Sequence, residues 1–489
     1  MKIKNIIYKG SLMLASVAIL ASCSDQLDTL PDNRTTLDTP KKIAGLLVTA
    51  YPDRTPTLFN EWMSDNTDYM GAQNSQGNRG GDQYFFWQEQ TEGGNDSPEM
   101  VWMLYYEGIY KANEALAAIE DQGGPKNDIL RNSKGEALLI RAYDHFILAN
   151  EFCRPYNGKT STKDAGLYYA TGIADFSAAA EQSNRGTVAD VYAKIAEDIE
   201  AGIPLLNDTY EVPKYHFNKQ AAYAFATRFY LYAQQYDKAV EYANKVLGDH
   251  PEDILRNWAE WNRLGPSGNV QPYDFIKASK NANIMLLPAP SQWGVISIPI
   301  LAGSKYAHGE LISKNETLQA AGPWGNSGTD LNYTVTYNNG ISKYALRKIP
   351  YMAKVIDTQA EIGIPYGEFA VFATDITLLE RAEAYALLGQ YDKAVADINS
   401  ELAVFSKHRV SLTLDQIKDF YNSLAYYTPS QPTPKKELHP LFTIEQTTQE
   451  PLLQCILQLR RLVTIHEGFR LQDVKRYGIT MYRRKVDVQ

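Results

Sequence analysis

Few residue groupings in this sequence have the spacing that catalysis requires. His466-Glu467-Gly468 lacks the second histidine of an HExxH zinc helix, and Gly325-Asn326-Ser327-Gly328 lacks the spacing of a nucleophile elbow. Neither a GxGxxG turn, a P-loop nor a CxxC pair occurs. Glu380, Arg381 and Glu383 fall at helical spacing among alanines and are expected to form structural ion pairs. Arg141 and His145 lie one turn apart on an apolar stripe and are expected to be a buried, hydrogen-bonded pair. Carboxylates brought together only by folding leave no local spacing to read. The expectation is a non-enzyme with no metal or cofactor. The chemistry on offer is instead that of flat aromatic faces beside polar edges, on which a hydroxylated ring can stack. The stretch 64–100 supplies Asp65, Asp68, Tyr69, Arg79, Tyr84 and Trp87; the stretch 264–370 supplies Trp293, Tyr306 and Trp324. Trp102, Trp258 and Trp261 sit in helical patterns and are expected in the core.

The elements that must carry these residues begin with an export signal. Lys2, Lys4 and Lys9 precede an uncharged apolar run that ends at Ser22, too short to span a bilayer permanently. Leu20-Ala21-Ser22-Cys23 resembles the bacterial lipobox, so Cys23 is expected to be acylated; several acyl chains at about 0.8 kcal/mol per buried methylene make a lasting anchor. Residues 23–38 read as a polar surface tether, with one folded unit over 39–489. Cys153 and Cys455 remain; Cys153 follows an apolar stripe and reads as a buried thiol.

The 489 residues are 44% hydrophobic and 21% charged, enough for a sizeable core. Net charge is −9, and without the three lysines of the first 22 residues it falls to −12. A nucleic-acid partner is thereby disfavoured, since the longest basic run is Arg483-Arg484-Lys485. Apolar residues recur at three-and-four spacing: Val101, Tyr105, Ile109, Ala112 and Ile119; Leu138, Ala142, Leu148 and Phe152; Val188, Val191, Ile195 and Ile199; Ala222, Phe225, Ala226 and Phe229. Gln235-Tyr236-Asp237-Lys238-Ala239-Val240 recurs unchanged 155 residues later as Gln390 to Val395. Each copy reads as the turn of a tetratricopeptide-type hairpin, its Asp capping the second helix and its Tyr packing back on the first. The predicted fold is all-α, with tetratricopeptide-like repeats interrupted by large loop insertions over 64–100 and 264–370, which are expected to be functional.

These features, with five ordered blocks, resemble the SusD/RagB family of outer-membrane nutrient-binding lipoproteins. The blocks are Ser64 to Tyr69, Ile109 to Asn113, Gly135 to Tyr143, Leu379 to Tyr385 and His466 to Gly478. Family members usually continue tens of residues beyond the point corresponding to Gln489. The resemblance implies that the loop aromatics form a glycan platform and that the protein captures extracellular oligosaccharide for a SusC-like, TonB-dependent transporter. It also implies a lipid anchor in the cell outer membrane, facing outside. Capture of peptides, as in some relatives, and a structural adaptor role remain open.

Overall fold

The computed structural model describes residues 36–71, 79–173, 185–297, 305–338, 342–360 and 362–484. The export signal, Cys23, most of the tether and Lys485 lie outside them. Helix α1 (Pro40–Val48) starts behind Thr39, whose hydroxyl caps Lys42 N, with Pro40 at the first helical position. Short helices α2 (Thr57–Met63) and α3 (Arg79–Phe85) follow. The long pair α4 (Pro98–Asp121) and α5 (Asp128–Phe152) begins at Ser97 and Asn127, each capping the amide three residues on. Helix α6 (Val188–Gly202) starts in a reciprocal capping box between Thr187 and Asp190. The predicted stripes face inward along all three helices, with Val101, Ile109, Leu148 and Ile195 buried. Trp102 departs from its expectation: it is 37% exposed at the start of α4, stacked edge-on against Phe152.

The six-residue repeat sits at the turn of two helical hairpins, α7 (Lys219–Tyr232) with α8 (Tyr236–Leu247), and α9 (Thr374–Leu387) with α10 (Tyr391–Phe405). Each first helix ends in a Schellman motif. Gln235 N donates to Tyr230 O (2.9 Å) and Gln234 N to Leu231 O (3.2 Å); Gln390 N donates to Tyr385 O (2.9 Å) and Gly389 N to Ala386 O (3.1 Å). The left-handed position is Gln234 (φ 59°) in one copy and Gly389 (φ 74°) in the other. Asp237 and Asp392 lie inside the first turn of the second helix and do not cap it, because Gln235 and Gln390 occupy the cap position. They favour the helix through its dipole instead.

A second repeat, invisible in the sequence motifs, is a buried clamp. Arg141 on α5 grips Asp198 of α6 with two bonds of 2.7 Å and reaches Asn113 of α4 at 2.9 Å. Arg381 on α9 grips Asp397 of α10 at 2.9 and 2.6 Å and reaches Asn244 of α8 at 2.9 Å. The expected Arg141–His145 pair is thus only a backbone one. The His145 ring bonds to Arg141 O (2.7 Å) and stacks on Tyr169, while burial lowers its pKa to about 3. Glu380 and Glu383 do make the expected ion pairs, with Arg228 (2.6 Å) and with Arg460 and Arg476 (2.6 and 2.5 Å).

The stretch 264–370 is more regular than expected. It contributes strand β2 (Asn283–Pro290) and most of a hairpin, β4 (Met352–Asp357) with β5 (Ile362–Ala373), to an antiparallel sheet of order β2-β5-β4. Ile284, Met285 and Phe372 of this sheet are buried under the N-terminal helices. Helices α11 (Leu414–Ser423), α12 (Gln449–Val463) and α13 (Arg470–Tyr477) complete a second core with α9 and α10, holding Trp258 and Trp261 as expected. Cys153 and Cys455 are free, buried thiols. Among the described residues no helix is long and apolar enough to cross a membrane.

Candidate functional site

The two stretches singled out in the sequence meet. Strand β1 (Asp68–Tyr69) pairs antiparallel with β3 (Tyr306–Ala307), Tyr69 opposite Tyr306. The last described residues close the other side: Tyr69 N donates to Arg484 O (3.1 Å). Beneath the ribbon is a floor of buried charge. Asp65 takes two bonds from Arg470 (2.7 and 2.8 Å), and Lys436 and Arg461 both reach Glu316. Burial alone would raise the Asp65 pKa; Arg461, Arg470 and Lys436 hold it well below the ordinary value. Asp68 bonds Arg484 at 3.0 Å, yet burial outweighs that pull and lifts its carboxyl to about 6. Asp65 and Asp68 are therefore bracing groups under the ribbon, and neither is an exposed polar rim.

Aromatic rings fill the space between ribbon and α3. Phe85 stacks on Tyr306 (4.8 Å), and Trp62 meets both Tyr306 (5.5 Å) and Tyr84 (6.3 Å). These four rings are buried. Outside them lies a second row that solvent reaches: Tyr69, Phe86 at 38% exposure and Trp87 at 47%. Arg483 is wedged below Trp87, its guanidinium 4.5 Å from the Trp87 ring and 4.4 Å from Phe85. It donates to Met63 O (2.7 Å) and Ser64 O (2.8 Å), and Trp87 Nε1 donates to the same Met63 carbonyl at 3.2 Å. Burial brings the Arg483 pKa down to about 10, which leaves it cationic at neutral pH. Trp87 has φ 51°, a left-handed conformation that a bulky residue rarely adopts. Strain of this kind concentrates where a side chain must be held in one place. Beside this row Tyr482 lies 5.8 Å from Tyr427, and Lys435 covers Tyr426.

Of the nine candidate residues, the structure leaves Trp87, Tyr69 and Arg79 open to solvent. Arg79 stands apart, its guanidinium 3.5 Å from Glu92. Tyr84 and Tyr306 support the exposed row from within. Trp293 and Trp324 correct the expectation: they are 4% and 3% exposed, with indole N–H groups bonded to His466 O (2.7 Å) and Ser327 Oγ (3.1 Å). Their faces are packed against protein and meet no solvent-borne ring. Sequence reasoning passed over Phe86, Tyr482 and Arg483. The run Phe85-Phe86-Trp87 is the available signal for the first; the sequence marks Arg483 only as part of a basic triplet.

Residues 25–231 match a SusD-like family model described as "Starch-binding associating with outer membrane". The fold is SusD-like. Among solved structures it is similar to a putative sugar binding protein from Bacteroides vulgatus, at 17% identity and TM-score 0.63, covering 93% of this chain and 90% of that one. A SusD-like carbohydrate binding protein from the same species is 18% identical at TM-score 0.61, covering 91% and 85%. A laminarin binding SusD-like protein is 17% identical at TM-score 0.52, covering 91% and 92%. At these identities the likeness establishes the SusD-like fold. No curated protein matches.

Proposed function

We propose that this SusD-like protein binds an extracellular oligosaccharide on the Trp87 row and hands it to a TonB-dependent outer-membrane transporter. The observation that carries the reading is Trp87 itself, strained, half-exposed and braced from below by Arg483, beside Phe86 and Tyr69. A row of exposed rings matches the C–H faces of successive pyranoses, and nearby tyrosine hydroxyls suit their rims. The family match and the carbohydrate-binding relatives support this ligand class over peptide.

Trp87→Ala should weaken oligosaccharide binding by a factor of roughly 5–30, about 1–2 kcal/mol, with an unchanged melting temperature. Trp324→Ala should do the opposite, leaving ligand affinity alone while losing about 3–5 kcal/mol of stability from a buried indole. Glycan-array screening followed by calorimetry on both variants reads this out, and unaltered binding in Trp87→Ala would sink the platform. For delivery, Cys23 supplies the anchor and a separate barrel the path. Mild-detergent extraction of the palmitate-labelled protein should recover a large β-barrel partner. Label persisting in Cys23→Ala, or recovery of a monomer alone, would reject the arrangement.

A further inference from the structure

A cleft of ≈ 680 Å³, measured by where the centre of a water molecule fits, opens between α1, α4, β2 and β5 and shares no residue with the Trp87 row. Its size falls within the roughly 300–1,000 Å³ of clefts that hold small ligands. The sequence makes it by leaving a helix face uncovered. Met100, Leu104, Gly108 and Lys111 follow one another along one face of α4 at the spacing of successive turns. Helix α1 stops at Val48, and the segment that follows it, Thr49 to Arg54, lines the opening.

The lining is apolar on one side and polar on the other. Pro52, Leu104, Leu286 and Leu287 give it an apolar floor, and Tyr51, Tyr215 and Tyr366 add half-buried rings. The charged side chains that line it are matched. Arg54 pairs with Asp53 at 2.8 Å and Lys111 with Glu107 at 2.7 Å, while His216 is bonded to Glu136 at 2.7 Å. Asp53 and Glu107 keep 62% and 50% of their side chains exposed, so both pairs present carboxylate oxygens to whatever enters. An ionic ligand would have to break one of these pairs. A purely apolar one would cover two carboxylates and take them out of water. A sugar ring meets both halves of the lining: its C–H face stacks on a tyrosine ring, and its hydroxyls donate to Asp53 and Glu107. We propose that the cleft is a second binding site, for a short neutral oligosaccharide, independent of the Trp87 platform.

The test is saturation-transfer NMR and calorimetry on the full chain carrying Trp87→Ala, which removes the platform. The probes are maltotriose, cellotriose and laminaritriose, with trigalacturonic acid, capped trialanine and toluene as the acidic, peptide and apolar comparators. At least one neutral trisaccharide should bind with a Kd of about 1 mM or tighter. Adding Tyr366→Ala should weaken that binding at least about fivefold, through loss of a stacking face. Should that protein fail to fold, Asp53→Ala at the exposed rim takes its place and should weaken binding at least about twofold. The proposal is overturned if only a comparator binds, if no probe binds, or if trisaccharide affinity is unaltered in the folded cleft variant. The platform falls separately, if Trp87→Ala alone leaves the affinity for longer glycans unaltered.

Discussion

Glu383 shows how a single carboxylate can hold several helices. It is buried on α9 and accepts from Arg460 of α12, and from Arg476 and the Tyr477 hydroxyl of α13. Burial alone would raise its pKa, but Arg476 and Arg460 pull it down to about 2, below the ordinary 4.5. The folded state thus favours the ionised form. Its contribution, about 3 kcal/mol by linkage, is present above pH 4.5 and disappears as pH falls toward 2. Urea unfolding at pH 5 and at pH 2.5 should show a loss that Glu383→Gln does not share. Equal losses in both proteins would place the acid sensitivity elsewhere. The helical spacing of Glu380, Arg381 and Glu383 announced ion pairing, but the partners come from helices up to 94 residues away and have no local signature.

Pairs of helices are where sequence and structure agree most closely. The inward stripes of α4 to α7 and the six-residue repeat at two hairpin turns were legible, because helical period and turn chemistry are local. The register of the repeat was less so: its Asp follows the cap, and the feature common to both copies is the left-handed residue one place before the repeat. That residue is Gly389 in one copy and Gln234 in the other. Gln234→Gly should therefore stabilise the protein by about 0.5–1 kcal/mol, since a side chain there works against its own backbone. A Cβ on Gly389 would meet nothing within 4 Å, so Gly389→Ala isolates the backbone term and should cost about 1 kcal/mol. Denaturant midpoints measured at constant slope decide both; a destabilised Gln234→Gly would contradict the assignment. The β2-β5-β4 sheet was missed because Asn283–Pro290 reads as a mere apolar run, and Gly363, Pro365 and Gly367 disguise β5 as loop. The loop tryptophans misled for a related reason, since an indole among glycines looks the same in sequence whether it faces water or protein.

At the scale of the molecule, the two cores touch through Val240, Leu387 and Val404, and the proposed platform lies where chain segments far apart in sequence converge. Residues 63–69, 85–87, 305–316 and 482–484 all contribute. Arg484 is central to the convergence, holding Asp68 and Glu316 at 3.0 Å each while its carbonyl receives Tyr69 N. Arg484→Met should strand Asp68, leave Glu316 to Lys436 and Arg461, and loosen the ribbon. Hydrogen exchange at the amides of Tyr69 and Met70 should accelerate at least tenfold, with the α4–α5 amides unaffected. Unchanged protection at β1 would show that the ribbon stands without this brace.

The wedge of Arg483 under Trp87 also sets an order of events in time. A chain emerging from the ribosome or crossing a membrane presents Trp87 hundreds of residues before the residues that seat it. Helices α4 to α6 pack mainly on one another and are able to form as they appear, but the ring face is fixed only when Tyr482 to Arg484 arrive. The proposed binding row accordingly takes its final shape only after residues 482–484 have been made.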